Sequence, residues 1–202
     1  EAVLIAYRRM KWKYGRTCTG LTSVILRDRP DEFCEILALE LNREFLDTFE
    51  GDRHRLPLFR IDQAQQINAQ INAWLKTGEV VDVTEDMRGH GRLLIDGNYA
   101  MFLPTVLWVR NPDHEAFGWE LPFPFITVTA TDSRERQIQL CRNSLIVSVY
   151  SADTAWLDRL RSEPTILKLF LGDEVERGYR FEDPHEGFMT DFLFQYTALA
   201  GP

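Results

Sequence analysis

Apolar and polar residues change their spacing at two points along the chain. Between residues 30 and 78 the apolar residues recur at steps of three and four, which is typical of amphipathic helices. After Glu79 they alternate at period two, which is typical of half-buried strands. The pattern therefore predicts two helices inserted into a chain that is otherwise mainly β.

Two segments carry the helical spacing. In the first, Pro30 suits the first helical position, Asp31 and Glu32 complement the helix dipole, and Gly51 follows the last turn. The second begins near Asp62, which we predict to cap it, and ends at Gly78. Its apolar stripe is Ala64, Ile67, Ile71 and Trp74. Its other faces carry amides, which either contact a partner or are solvated: Gln65, Gln66, Asn68, Gln70 and Asn72.

The segment from residue 79 to residue 151 predicts an antiparallel meander. Its strand candidates read EVVDVT, RLLI, NYAMFL, TVLWVR, FITVTAT, RQIQLC and SLIVSVYS. Asp96 and Gly97 lie between two of them and predict a type I′ hairpin. A loop rich in proline and aromatic residues interrupts the series at 111–124. We expect a strongly twisted sheet or a partial barrel.

Residues 2–27 predict a bent β-hairpin, because VLIAY and TSVILR read as strands. Between them lies the segment RMKWKYGR. At period two its apolar residues face one way and its cations the other, and this alternation indicates a strand with one buried face. The apolar set is Met10, Trp12 and Tyr14, and the cationic set is Arg9, Lys11 and Lys13.

The C-terminal part mixes elements. SADTAWLDRLRSE predicts a short helix capped by Asp153, TILKLFLG fits a strand or a helix end, 173–187 is an acidic loop, and FMTDFLFQYTAL predicts an apolar helix. The predicted fold class is thus α+β: a large antiparallel twisted sheet or partial barrel with two inserted helices and a C-terminal helical segment. We predict one domain over 1–202, comprising a helical insertion at about 30–78, a β-meander at about 79–151 and a C-terminal α/β segment at about 152–202.

Composition narrows the class of protein. The chain has 202 residues with 45% hydrophobic residues, and no apolar run approaches the roughly 20 residues that span a bilayer. The three cysteines form no CxxC pair, so we expect a reducing, cytoplasmic location without disulfides or membrane attachment. Cys34 and Cys141 lie in apolar segments and are interpreted as small core residues, and a reactive role is disfavoured for all three cysteines.

Charge is unevenly distributed. The net charge is −8, yet residues 1–30 hold seven Lys/Arg and two Asp/Glu. An acidic protein repels phosphate, which argues against broad contact with nucleic acid and favours protein partners. A local contact with nucleic acid or a partner is still predicted for the basic N-terminal segment: Arg8, Arg9, Lys11, Trp12, Lys13, Tyr14 and Arg16.

Catalytic motifs are absent from the sequence. It contains no GxGxxG, no phosphate-binding loop, no HExxH and no GxSxG, so no cofactor and no metal are predicted. Weak catalytic candidates are the loop residues His114, Glu115, Asp183 and His185, which together could bind a divalent metal.

The sequence therefore favours a protein that is not an enzyme: a non-catalytic subunit or adaptor of a bacterial-type cytoplasmic protein assembly, in contact with other subunits and with nucleic acid as a further partner. One alternative is a metal-dependent hydrolase or nuclease that uses the loop histidines and carboxylates. Another is a small-molecule binder in a barrel mouth lined by Trp108, Trp119 and Phe123.

Overall fold

The structure is a computed structural model that describes residues 2–16, 20–47 and 56–172, with the backbone alone at 11–13 and 44–47. The chain forms two compact units, Glu1–Asp132 and Ser133–Pro202. In the part that is described, no helix is both long enough and apolar enough to cross a membrane. The single-domain assignment stays a prediction.

The first unit combines helices with two sheets. Its helices are α1 (Ala2–Lys11), a 3-10 helix (Trp12–Gly15), α2 (Pro30–Asp47), α3 (Ile61–Leu75) and α4 (Val83–Arg88). Its strands are β1 (Ser23–Leu26), β2 (Leu58–Arg60), β3 (Val80–Asp82), β4 (Leu93–Asp96), β5 (Tyr99–Phe102), β6 (Thr105–Val109) and β7 (Phe125–Ala130). The described part of the second unit contains α5 (Arg134–Leu140), β8 (Ile146–Val149), α6 (Thr154–Arg161) and β9 (Lys168–Leu171).

A four-stranded sheet in the order β1-β7-β6-β3 forms the centre of the first unit. Strands β1, β7 and β6 are parallel, and only β3 is antiparallel to its neighbour. Successive residues of β6 and β7 enter two different cores. Val106 and Ile126 pack with α1 and α2, whereas Leu107 and Phe125 pack with α3. Both faces are therefore buried, as parallel sheets require.

The second sheet, β2-β5-β4, is antiparallel and three-stranded. The predicted hairpin between β4 and β5 is confirmed, since Asp96 pairs with Tyr99. The predicted type I′ turn is wrong. It needs positive φ at both central residues, but here Gly97 has φ +57° and Asn98 is not in that region, as in type II′. The described strands form separate sheets and no closed barrel, so the fold is a mixed α/β arrangement and antiparallel pairing accounts for only part of it.

The predicted N-terminal hairpin over 2–27 is wrong. Residues 2–11 form α1, and only the second strand, β1, is present. Ala6 and Met10 are buried, and Val3 and Tyr7 pack against the same core, so the buried positions follow the helical period. A short apolar run does not distinguish helix from strand, and packing against α2 decides between them.

Two further strand assignments need correction. EVVDVT contains β3 and then α4, because the Asp82 carboxylate accepts a hydrogen bond from the Glu85 amide and caps the helix. RQIQLC belongs to α5, which Ser133 caps. The last strand of the predicted meander, β8, pairs with β9 in parallel, so antiparallel pairing does not extend to it. In EVVDVT and RQIQLC, the caps at Asp82 and Ser133 stabilise helices in spite of the period-two pattern.

The strongly periodic helices are confirmed. Helix α2 begins at Pro30 and buries Cys34, Leu37 and Leu41 completely. Of the predicted stripe of α3, Ala64, Ile71 and Trp74 are buried, and Ile67 is partly buried against the same core. The predicted Asp62 cap is wrong, because Asp62 lies in the first turn of α3 and pairs with Arg60 instead. Helix α6 has its predicted cap, since Asp153 accepts a hydrogen bond from the Trp156 amide at 3.0 Å. The predicted acidic loop and final helix lie outside the described residues.

A buried ion pair joins three elements of the first unit. Arg92 Nε lies 2.8 Å from Asp82 Oδ2, and the two side chains are 2% and 3% exposed. Arg92 Nη1 donates to Asn68 Oδ1 at 2.8 Å and to Asn72 Oδ1 at 2.9 Å, which links the pair to α3. Glu85 Oε2 lies 2.6 Å from Nη2, although it is too poorly aligned for a hydrogen bond. Two amides of the polar face of α3 therefore have an internal role.

Replacing Arg92 with Met should lower the free energy of unfolding by about 3–5 kcal/mol, because Asp82 would stay buried without its counter-charge. Urea denaturation followed by circular dichroism measures the change. The control is Arg60→Met, which breaks the ion pair with Asp62. In that pair the side chain of Arg60 is 80% exposed and that of Asp62 is 61% exposed. The control should cost less than about 1 kcal/mol. Equal losses in the two variants would contradict a special role for the buried pair.

Gly15 makes an unusually close backbone contact. Its φ is +74°, and a Cβ there would lie 2.3 Å from the carbonyl oxygen of Phe123. No side chain fits such a gap, so the end of the 3-10 helix packs directly on the chain just before β7.

Replacing Gly15 with Ala should lower the free energy of unfolding by roughly 2–4 kcal/mol, since it adds a clash with backbone to left-handed strain. The matched control is Gly89→Ala, where φ is +72° but nothing lies within 4 Å of the added Cβ. That control should show the strain alone, roughly 1–2 kcal/mol. Differential scanning calorimetry compares the two, and a Gly15→Ala loss no larger than the control would refute the close contact.

Candidate functional site

The three parallel strands bring their amino-terminal ends to one edge of the sheet. Ser23, the first residue of β1, pairs with Thr127 of β7, and Thr105, the first residue of β6, pairs with Phe125. The entry of β1 and the loop before β7 therefore lie at the same edge. That loop comprises residues 110–124, one residue more than predicted. Gly15 contacts the backbone of Phe123 near the end of this loop.

The 110–124 loop is held against α3 by a polar and an aromatic contact. Trp74 is 1% exposed, and its indole Nε1 donates to Glu115 Oε1 at 2.9 Å. Trp119 packs edge-on against Trp74 with 5.3 Å between ring centroids. Farther along, Phe123 stacks on Phe102 at 4.5 Å. The loop is thus a fixed part of the fold at this edge.

A shallow groove of about 220 Å³ lies between α3 and this loop. Its lining residues are Gln66, Ile67, Gln70, Trp74, Trp119 and Leu121. None of these side chains carries a charge, so the groove offers apolar surface and neutral amides only.

The predicted barrel mouth is wrong, since the described strands close no barrel. Of the three aromatic residues expected to line it, only Trp119 borders the groove. Phe123 is completely buried, and Trp108 packs against the core of α1 and α2 with Arg110 5.1 Å from its ring centroid.

The predicted metal-binding residues do not assemble in the described part of the chain. The Glu115 carboxylate accepts the Trp74 hydrogen bond, and His114 Nδ1 accepts one from the Ala116 amide at 3.1 Å. Within residues 2–16, 20–47 and 56–172, no group of three His, Cys, Asp or Glu side chains could hold a metal ion. The other two candidates, Asp183 and His185, lie outside the described residues.

The cysteines differ in their surroundings. Cys34 is completely buried, and burial raises the pKa of its thiol to about 12, with nearby Asp31 and Glu35 acting in the same direction. Burial also raises the pKa of the Cys141 thiol to about 11. Both thiols are protonated near neutral pH and are poor nucleophiles. The third, Cys18, lies outside the described residues.

The basic N-terminal segment does not lie in a hairpin as predicted, because residues 2–11 form α1. Arg8 and Arg16 are exposed, and Arg9 is half-buried. Tyr14 packs partly against the core of α1 and α2. The side chains of Lys11, Trp12 and Lys13 lie outside the described part. Contact of this segment with nucleic acid or a protein partner stays a prediction.

No protein-family model matches the chain, and no curated protein matches its sequence. Solved structures do match its fold. A lactaldehyde dehydrogenase gives a TM-score of 0.64 at 16% identity over 84% of this chain and 35% of its own. An apo betaine aldehyde dehydrogenase mutant from Staphylococcus aureus, with a BME-modified cysteine, gives a TM-score of 0.61 at 18% identity. The match covers 84% of this chain and 34% of that enzyme. An aldehyde dehydrogenase from Bacillus cereus in complex with NAD+ gives a TM-score of 0.61 at 15% identity. The match again covers 84% of this chain and 34% of the enzyme.

These matches correct the functional prediction. The structures that share this fold are enzymes, which contradicts a non-catalytic subunit or adaptor. The alternatives of a metal-dependent hydrolase and a barrel-mouth binder are set aside with it. The chain spans about a third of the length of these dehydrogenases. At these identities the likeness concerns the fold, and over most of its length the chain has the fold of a part of the aldehyde dehydrogenases.

Proposed function

We propose that this chain is the thiol-bearing part of an oxidoreductase of the aldehyde dehydrogenase type, with Cys18 as the reactive thiol. The observation that carries the proposal is the fold match, with TM-scores of 0.61 to 0.64 over 84% of the chain. A thiolate is well suited to add to the carbonyl carbon of an aldehyde. A modified cysteine in one of the matched dehydrogenases supports a thiol as the reactive group.

Elimination supports the choice of Cys18 among the three cysteines. Cys34 lies within α2 and Cys141 at the end of α5, and loss of solvent raises the pKa of both thiols. Cys18 stands five residues before Ser23, the first residue of β1, in the segment TCTG. It is also the one cysteine outside an apolar run. The sequence pattern disfavoured a reactive role for all three thiols alike, so this difference between them was missed.

The groove beside α3 does not fit a whole dinucleotide. The sequence has no glycine-rich dinucleotide fingerprint, and the groove beside α3 is small and has no charged side chain to receive a pyrophosphate. The matched Bacillus cereus enzyme binds NAD+, and use of NAD+ by this protein is part of the proposal. The described residues are proposed to support the segments around the reactive thiol, and no role in holding NAD+ is assigned to them. A cytoplasmic location also stays a prediction.

Thiol labelling tests the assignment directly. In the native chain at pH 8, iodoacetamide should alkylate Cys18 roughly two orders of magnitude faster than Cys34 or Cys141, because an ordinary thiol is partly ionised and the other two are not. Mass spectrometry of the cysteine peptides over time gives the three rates. In urea the three rates should converge, which serves as the control. If Cys18 of the native chain reacts no faster than Cys34 and Cys141, its proposed role is refuted.

Activity tests the reaction. The complete protein, supplied with an aldehyde and NAD+, should form NADH, and Cys18→Ser should lower kcat by at least about a hundredfold because the nucleophile is lost. Cys141→Ser is the matched control and should retain wild-type turnover. Absorbance at the NADH band follows both. Full turnover in Cys18→Ser would exclude the thiol mechanism.

A further inference from the structure

Thr127 carries a hydroxyl whose hydrogen-bonding capacity is completely used. The residue lies in β7 and is 0% exposed. Its Oγ1 is 3.0 Å from Ser23 Oγ, accepts a hydrogen bond from the Gly118 amide at 3.2 Å, and donates to the Thr22 carbonyl at 3.4 Å. A hydroxyl offers one donor and two acceptor sites, so these three partners satisfy it fully.

The partners come from the two segments that meet at the sheet edge. Thr22 and Ser23 belong to the chain that enters β1, four and five residues after Cys18. Gly118 belongs to the 110–124 loop and has φ +86°, a conformation that directs the chain into Trp119. One buried hydroxyl therefore joins the entry of β1 to the loop that bears Trp119.

We propose that Thr127 is a positioning residue that holds the 110–124 loop and the entry of β1, at Thr22 and Ser23, in one arrangement. For the thiol, the inference rests on the proposed function. For the loop, it rests on the hydrogen bonds alone. Without the hydroxyl, the Gly118 amide and the Ser23 hydroxyl lose a buried partner, and the two segments are free to separate.

The chain offers a matched control two residues farther along the same strand. Thr129 is also 0% exposed, and its hydroxyl donates to the Val109 carbonyl at 2.8 Å. That bond connects β7 to β6 and involves neither the loop nor the entry of β1. Thr→Val at either position keeps the side-chain shape and removes one buried hydroxyl. Any difference between the two variants is therefore due to the hydrogen-bond partners that each hydroxyl has, since both hydroxyls are equally buried.

Two readouts in the complete protein follow the two segments. The first is the 19F resonance of Trp119 in protein labelled with 5-fluorotryptophan, assigned with Trp119→Phe. The second is the pH profile of iodoacetamide alkylation at Cys18. Thr127→Val should move the Trp119 resonance and shift the midpoint of the profile by about half a pH unit, which is about threefold in rate at fixed pH. Thr127→Ser should restore both, because it keeps the hydroxyl.

The outcomes separate the two proposals. Effects confined to Thr127→Val, and absent from Thr129→Val, support positioning. Equal effects, or none, overturn it. If Cys18 of the wild-type protein is unreactive, the proposed function fails, and the Trp119 resonance alone then decides the role of Thr127. Should Thr127→Val not fold, Ser23→Ala removes one of the three partners and should move the Trp119 resonance in the same direction by a smaller amount.

Discussion

The buried pair of Arg92 and Asp82 is the constraint on which the first unit depends. Asp82 ends β3, caps α4 through the Glu85 amide and accepts the Thr84 hydroxyl at 2.6 Å, while Arg92 extends to two asparagines of α3. Burying both charges is costly unless every partner is in place, so the pair requires β3, α3 and α4 to adopt one arrangement. Its contribution is therefore to specificity of packing as much as to stability.

That arrangement also positions the 110–124 loop. With α3 fixed, Trp74 holds the 110–124 loop through Glu115, and the loop returns the chain so that β7 runs parallel to β6. Parallel strands collect their amino-terminal approaches at one edge. That edge receives the 110–124 loop before β7 and the entry of β1 at Thr22 and Ser23, and the Thr127 hydroxyl joins the two. Gly15 packs on the backbone of Phe123 just before β7. Loops supported by a rigid sheet are where reactive groups are usually found.

Some elements could be predicted from local sequence because their signals are short-range. Helix α2 has Pro30 at its start and a long apolar stripe, and α6 has its cap at Asp153. The β4–β5 hairpin was predictable from Asp96 and Gly97, although its turn type was not. The proposed role of Cys18 could not be predicted from local sequence, because none of the catalytic motifs sought includes it. The proposal rests on the fold likeness and on the raised pKa of the other two thiols.

The sequence by itself determined the amphipathic helices, the β4–β5 hairpin and the absence of an apolar span in the described helices, because each depends on neighbours along the chain. Tertiary structure alone decided that α1 is a helix, that β1, β7 and β6 are parallel, and that Asn68 and Asn72 face a buried arginine. Strand direction and burial depend on residues distant in sequence. Ser23 and Thr127, 104 positions apart, share a hydrogen bond that no local pattern contains.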